Sequence, residues 1–292
     1  MARFLPQDLS VVIPSKNEKD LKNTLLSLRS AKFGEKVELI VVDDGSTDGS
    51  CKDLFCIEPS VHILTTSGKG VSYARNLGAR AARGKILVFC DANLIALPNL
   101  FEEILKAFEN EQILVQAPYI SDIANPDAAG FGMTLNQNLE GVWLGRCDDL
   151  TPVPILPSTC LALHSDIYWQ VGGFDEGFKI LGHEDVELSI RLWLCGHTLY
   201  LNPFTGIKHL FRALKPYYFS REHYVYNIIR LACLHFNTAR ITKTLNLYAN
   251  NAYLNRLVSE TMLSDVWQTR EKYQQLKKYD DNWYVEKFKI PF

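Results

Sequence analysis

From Leu9 to Asp91 the chain alternates two hydrophobic rhythms. The runs LSVVIPS, VELIVVDD, VHILTT and KILVFCD are nearly continuous in apolar residues and predict strands. Between them, EKDLKNTLLSLRS, STDGSCKDLF and VSYARNLGARAARG predict helices, the last closed by Gly84. Strands alternating with helices predict a mostly parallel sheet, and unbroken apolar strands are expected where helices cover both of its faces. Ligands of such sheets bind beyond the carboxyl ends of the strands. The polar residues that close these strands, Ser15 to Glu18, Asp43 to Ser46 and Asp91 to Asn93, are therefore expected to meet along one edge.

Beyond Pro98 the pattern predicts a helix over FEEILKAFEN and a strand over QILVQAP. Ser121 to Pro157 is rich in Asp, Asn, Gly and Pro and weakly periodic, which reads as an irregular insertion facing the site. Short strands return from Ser158, and GHEDVELSIRLW opens a helix with Val186, Ile190 and Trp193 on one apolar face. Glu184 and Asp185 at its start suit the positive end of a helix dipole, so stability alone accounts for them as well as chemistry does. From Phe219 onward, YVYNIIRLACLHF and LVSETMLSDVWQTREKYQQL predict a C-terminal group of helices.

Composition narrows the classes. With 292 residues and 47% hydrophobic content the chain can bury a substantial core. A formal charge of −2, from 31 basic and 33 acidic residues, gives no electrostatic footprint for nucleic acid. Seven scattered cysteines without a CxxC pair indicate neither a disulfide framework nor a zinc site. No apolar run is long enough to span a bilayer, and MARFLPQDLS lacks the pattern of a signal peptide, so a cytoplasmic protein is expected, with peripheral association with a membrane left open.

Two turns carry candidate chemistry. VVDDGSTDGS joins a strand to a helix without a GxGxxG, so Asp44 suits hydrogen bonds from a base or ribose, or simply a turn or helix cap. FCDAN places Asp91 and Asn93 on the same side of an extended chain, where both oxygens can approach one hard cation or a ribose hydroxyl, although turns after strands favour these residues anyway.

Together with VVIPSKNE and GKGVSYARNLGARAARG, these turns closely resemble the nucleotide-binding half of family 2 glycosyltransferases of the GT-A fold, over roughly residues 8 to 118. The segment from about 152 to 219, with GHEDVELSIRLWLCGHTL and GIKHLFRALKPYYF, resembles the catalytic domain of polypeptide N-acetylgalactosaminyltransferases. The resemblance implies an α/β GT-A catalytic domain over residues 1–218, with a nucleotide-sugar-binding half to 118 and an acceptor and catalytic half from 119, followed by a helical extension over 219–292. It implies donor contacts at Pro14, Glu18, Asp44, Arg75, Asp91, Arg212 and Tyr217, and a divalent cation, Mn²⁺ or Mg²⁺, at Asp91, Asn93 and His209. Asn93 departs from both patterns, which place Asp or His there; an amide oxygen is the weaker ligand, so the donor phosphates would complete the coordination.

Glu184 and Asp185 become the catalytic carboxylates, with Asp185 the base if the chemistry inverts and a positioning group if it retains. The implied activity moves a sugar from a nucleotide donor, UDP-linked, to a hydroxyl on a glycan, a peptide or a lipid-linked saccharide. The competing readings are a GT-A-like binding protein that has lost its catalysis and a sugar-phosphate nucleotidyltransferase. The latter would want a glycine-rich phosphate loop that VIPSKNE lacks. Trp267, Tyr273, Trp283 and Tyr284 join the insertion as expected acceptor-facing residues.

Overall fold

The computed structural model describes residues 8–31, 37–125, 127–212 and 214–292. The N-terminal segment read for a leader lies largely outside them. The first four predicted strands form as β1 (Leu9–Ser15), β2 (Glu38–Asp43), β3 (His62–Thr65) and β4 (Ile86–Cys90). They are followed by β5 (Leu94–Ala96), β6 (Val115–Asp122), the short β7 (Ala129–Gly130), β8 (Met133–Leu135), β9 (Gly141–Trp143) and β10 (Thr151–Pro152), then β11 (Cys160–His164) and β12 (Leu199–His209). Among the described residues the main sheet runs β10-β12-β6-β11-β4-β1-β2-β3, with β5 added on β12 and β7 on β6. Strands β3, β2, β1 and β4 are mutually parallel, β11 runs against β4 and β6, and β12 lies parallel to β6.

Both faces are covered, as the unbroken apolar strands require. Val12, Ile40, Val42 and Phe89 point to one side, where α2 (Val71–Ala81) and α5 (Glu184–Leu194) pack. Val11, Leu39, Val41 and Val88 point to the other, under α1 (Leu21–Ser30) and α3 (Leu100–Ala107). Helix α4 (Ser165–Gln170) follows β11. The C-terminal helices are α6 (Arg221–His235), α7 (Thr238–Leu247), α8 (Leu254–Met262), α9 (Val266–Leu276) and α10 (Asp281–Phe288). Ile228, Leu231 and Tyr284 belong to the same buried cluster as Val12 and Leu188, so the core runs across the division drawn at residue 218. Tyr273 and Tyr284 are buried in that core and Trp283 stacks on Tyr279, so they pack helices instead of presenting rings to an acceptor. No described helix is long and apolar enough to cross a membrane.

Three expectations are corrected. STDGSCKDLF forms only a single 3₁₀ turn over Leu54–Cys56. Its polar side chains bond locally, Asp43 Oδ1 accepting from the Ser46 amide at 2.8 Å and Asp48 Oδ1 from the Ser50 amide at 2.9 Å, and Asp53 turns left-handed at φ 58°. Such bonds compete with helix propagation. Helix α2 stops at Ala81, before Gly84, whose place is instead fixed by close approach to β1: a Cβ there would lie 2.6 Å from the Asp8 carbonyl oxygen. The insertion is partly ordered, with β8 and β9 forming a hairpin, and it borders the cleft described below without lining it.

Candidate active site

The carboxyl ends of β1, β2 and β4 and the end of β12 surround one cleft, whose wall is completed by Ile180 and Leu181 and by Arg212, Lys215, Pro216 and Tyr217. Pro14, Glu18, Asp44, Asp91, Asn93, His209, Arg212 and Tyr217 all line it. The sequence separations are bridged by the parallel sheet, which brings strand ends to one edge.

Arg75 is placed differently from the expectation. It is 1% exposed, does not line the cleft, and spends both terminal nitrogens beneath it, Nη2 on Asp91 Oδ1 and Nη1 on Glu184 Oε1, each at 3.0 Å. Its guanidinium lies 5.0 Å from the Phe174 ring centroid. Burial would lower its pKa, but Asp91 and Glu184 outweigh that and hold it charged. Glu184 and Asp185 likewise stand outside the cleft wall. The Glu184 carboxylate also accepts from the Gly182 amide at 2.6 Å, and Asp185 Oδ1 accepts from the Val186 amide at 2.8 Å. Burial raises both carboxyl pKa values; Asp185 adds to the rise at Glu184, and Arg75 opposes it at each.

On the cleft side, Asp91 Oδ2 faces His209 Nε2 at 3.6 Å. That is too long for a hydrogen bond. Two ligands each about 2.1 Å from one cation, at angles of about 90–120°, stand roughly 3.0–3.6 Å apart, so this spacing fits a shared divalent ion. Burial pushes the His209 pKa down, which leaves its imidazole neutral and able to offer a lone pair. Asn93 donates its amide Nδ2 to the Leu210 carbonyl at 2.9 Å, leaving Oδ1 as its free acceptor. Among the described residues no group of three or more His, Cys, Asp and Glu side chains is gathered for a metal. A divalent ion here would take two ligands from Asp91 and His209, and further ones would have to come from Asn93 and a bound substrate.

Asp44 is 5% exposed and accepts from two loop amides, Lys69 at 2.7 Å and Gly70 at 3.0 Å, so its first task is to shape the entry to α2. Arg212, expected to fork onto phosphate, forks here onto Glu18 and Asp20. Burial raises the Tyr217 pKa, and Asp91 and Glu184 add to the effect, so the phenol keeps its proton. Lys16, within the Ser15–Glu18 set but not named among the donor contacts, and Lys215, Ile180 and Leu181, which the sequence did not single out, also line the wall, the two lysines adding positive charge. Lys16 lies just past the end of β1, and the rule that selected Glu18 selects it too.

A model of the glycosyl transferase family 2 matches residues 10–170, more than half of the chain. The chain belongs to glycosyl transferase family 2. Its fold is GT-A-like: the structure of GalNAc-T7 with UDP, GalNAc and Mn²⁺ superimposes with a TM-score of 0.75 over 96% of this chain and 56% of that one, at 20% identity. S. aureus TarS 1–349 in complex with UDP-GlcNAc superimposes with a TM-score of 0.59 over 92% of this chain and 81% of that one, at 18% identity. In sequence, this family 2 member is 29% identical over 236 residues to the polypeptide N-acetylgalactosaminyltransferase 10 of Rattus norvegicus, covering 71% of this chain and 38% of the relative. The chain thus spans little more than a third of the length of that curated relative.

Proposed function

We propose that this chain transfers a sugar from a nucleotide-sugar donor, UDP-linked, to a hydroxyl of a glycan, peptide or lipid-linked saccharide. The observation that carries the reading is the Asp91–His209 pair, 3.6 Å apart at the strand ends, in a wall that also presents Lys16, Arg212 and Lys215. A divalent cation, Mn²⁺ or Mg²⁺, held by Asp91, His209 and Asn93 would neutralise charge on the departing diphosphate. The named neighbours support the class: one is solved with UDP, GalNAc and Mn²⁺, another with UDP-GlcNAc.

The chain's own residues divide the remaining work. Arg75 fixes Asp91 from below, so that one carboxylate oxygen is anchored and the other faces the cleft. Lys16 and Lys215 offer positive charge to phosphate oxygens, Arg212 being engaged by Glu18 and Asp20, and the protonated Tyr217 phenol offers one more hydrogen bond. Glu184 stands behind Arg75 and serves to position it, while Asp185 accepts from the Val186 amide outside the cleft wall; this favours charge-assisted departure of the leaving group over deprotonation of the acceptor by Asp185.

The test is UDP release from a panel of UDP-sugars with and without Mn²⁺. Metal-dependent release from at least one donor is expected, and no release from any, with acceptors present, would overturn the reading. Because burial depresses the His209 pKa, the acid limb of this activity is expected below the usual histidine value of 6.5, and an acid limb above 6.5 would contradict the role of His209.

A further inference from the structure

Ile180 is a β-branched residue in the left-handed region, at φ 49°, and it is followed by Gly182 at φ 103° and His183 at φ 65°. Ile180 and His183 are strained there, whereas Gly182 adopts a positive φ freely, and strain persists only where the surroundings enforce it. Glu184 holds the Gly182 amide and the Val71 amide holds the Ile180 carbonyl, and one further side chain gathers the backbone around them. Asn227, fully buried in the middle of α6, accepts from the Lys179 amide at 2.7 Å and donates to the carbonyls of Lys179, Leu181 and Gly182 at 3.0, 3.1 and 2.8 Å. A single amide thus serves four backbone groups of one short loop.

The loop is a wall of the cleft. Ile180 and Leu181 line it, and the Ile180 carbonyl accepts from the Val71 amide at 2.9 Å, at the first residue of α2. Gly70, whose amide holds Asp44, faces the Ile180 backbone so closely that a Cβ would lie 3.3 Å from it. Lys179 is anchored as well, its ammonium paired with Glu260 of α8 and 4.1 Å from the Tyr226 ring centroid. The C-terminal helices therefore set where this wall stands relative to Asp44 and Asp91.

We infer that Asn227 is a positioning residue for donor binding, fixing the 179–182 loop so that the cleft is preformed for the nucleotide sugar. This rests on the donor reading given above. Removing the amide leaves half-buried backbone groups unpaired and the strained loop less firmly held, which lowers the population of the binding-competent cleft while leaving the reacting side chains in place.

The experiment compares wild type with Asn227→Asp and Asn227→Ala, and with Ile228→Val as a neighbouring core change that touches none of the loop's backbone groups. Asn227→Asp keeps the acceptor for Lys179 and sets a carboxylate against three carbonyls. Both Asn227 variants are expected to raise the donor KM and the UDP Kd on the order of tenfold with kcat changed far less, and to speed hydrogen exchange at Lys179–His183 and Val71 in the ligand-free protein. Ile228→Val is expected to leave KM and that exchange unchanged. An unchanged KM in folded Asn227 variants, or the same KM rise in Ile228→Val, overturns the proposal. If wild type binds no UDP, the donor reading fails, and exchange rates at the loop that match wild type in both Asn227 variants would separately refute the holding role.

Discussion

At the scale of single residues, the site is organised around Arg75. Its two terminal nitrogens join Asp91, which faces the cleft, to Glu184, which does not, so a helix residue that carries no exposed surface decides how the strand-end carboxylate is aimed. Replacing Arg75 with Ala would leave the buried Glu184 carboxylate unpaired and Asp91 without its anchor, and a loss of about 3–5 kcal/mol in unfolding free energy is expected from urea denaturation. The cleft-facing pair behaves differently. Asp91→Asn and His209→Ala are expected to lower kcat by about 10²–10³ each with the fold intact by circular dichroism, because they touch charge stabilisation and not the core. These residues were legible as types in order: the DDGS turn, the FCDAN strand end and the HLFR segment. Whether a named arginine contacts ligand or another side chain was not, because sequence order does not state which atoms are already spoken for. Arg75 and Arg212 both proved to be paired with carboxylates.

At the scale of elements, the ARNLG stretch of α2 shows why a motif reads more clearly than its parts. Arg75 serves the site, Asn76 bonds the Phe174 carbonyl at 2.8 Å and accepts from its amide at 3.0 Å, and Gly78 allows the helix to lie against β1. A Cβ on Gly78 would stand 2.3 Å from Val12 Cγ1. Gly78→Ala would gain about 1 kcal/mol in helix propensity, yet overpacking costs about 1–3 kcal/mol, so a net loss of stability in urea titration is expected. Strands β1, β2 and β4 were legible because both their faces are buried, which writes them as unbroken apolar runs; β3, at the edge of the sheet, is partly exposed. Strand β5 and the β8–β9 hairpin were not: at three residues each they carry too little pattern, and their pairing is decided by distant partners. STDGSCKDLF failed for the opposite reason, since local polar bonds overrode a weak helical spacing.

At the scale of the whole molecule, the C-terminal helices and the sheet are one packed unit, joined by charge as well as by apolar contact. Glu187 and Arg191 of α5 and His235 of α6 are all fully buried and joined through Glu187, Arg191 Nη2 meeting Glu187 Oε2 at 2.7 Å and His235 Nε2 meeting Glu187 Oε1 at 2.7 Å. Burial, with Lys277 adding to it, pushes the His235 pKa down to about 4, while Arg191 and His235 hold Glu187 down to about 2 against the opposing effect of burial. Both folded values lie below the ordinary ones, 6.5 and 4.5, so the unfolded chain binds more protons between them and stability falls as pH falls. The His235 share is lost from pH 6.5 down to about 4. Wild type is therefore expected to lose unfolding free energy across that window relative to His235→Gln, and a gap between the two proteins that does not change with pH would contradict this account.

The central claim is that Asp91 and His209 form a cation-assisted site for a nucleotide diphosphate, and calorimetric titration with UDP in the presence and absence of Mn²⁺ tests it most directly. Saturable binding is predicted for wild type, weakened at least about tenfold by omission of Mn²⁺ and equally by His209→Ala. UDP affinity that is the same with and without Mn²⁺, and unchanged in folded His209→Ala, would contradict it.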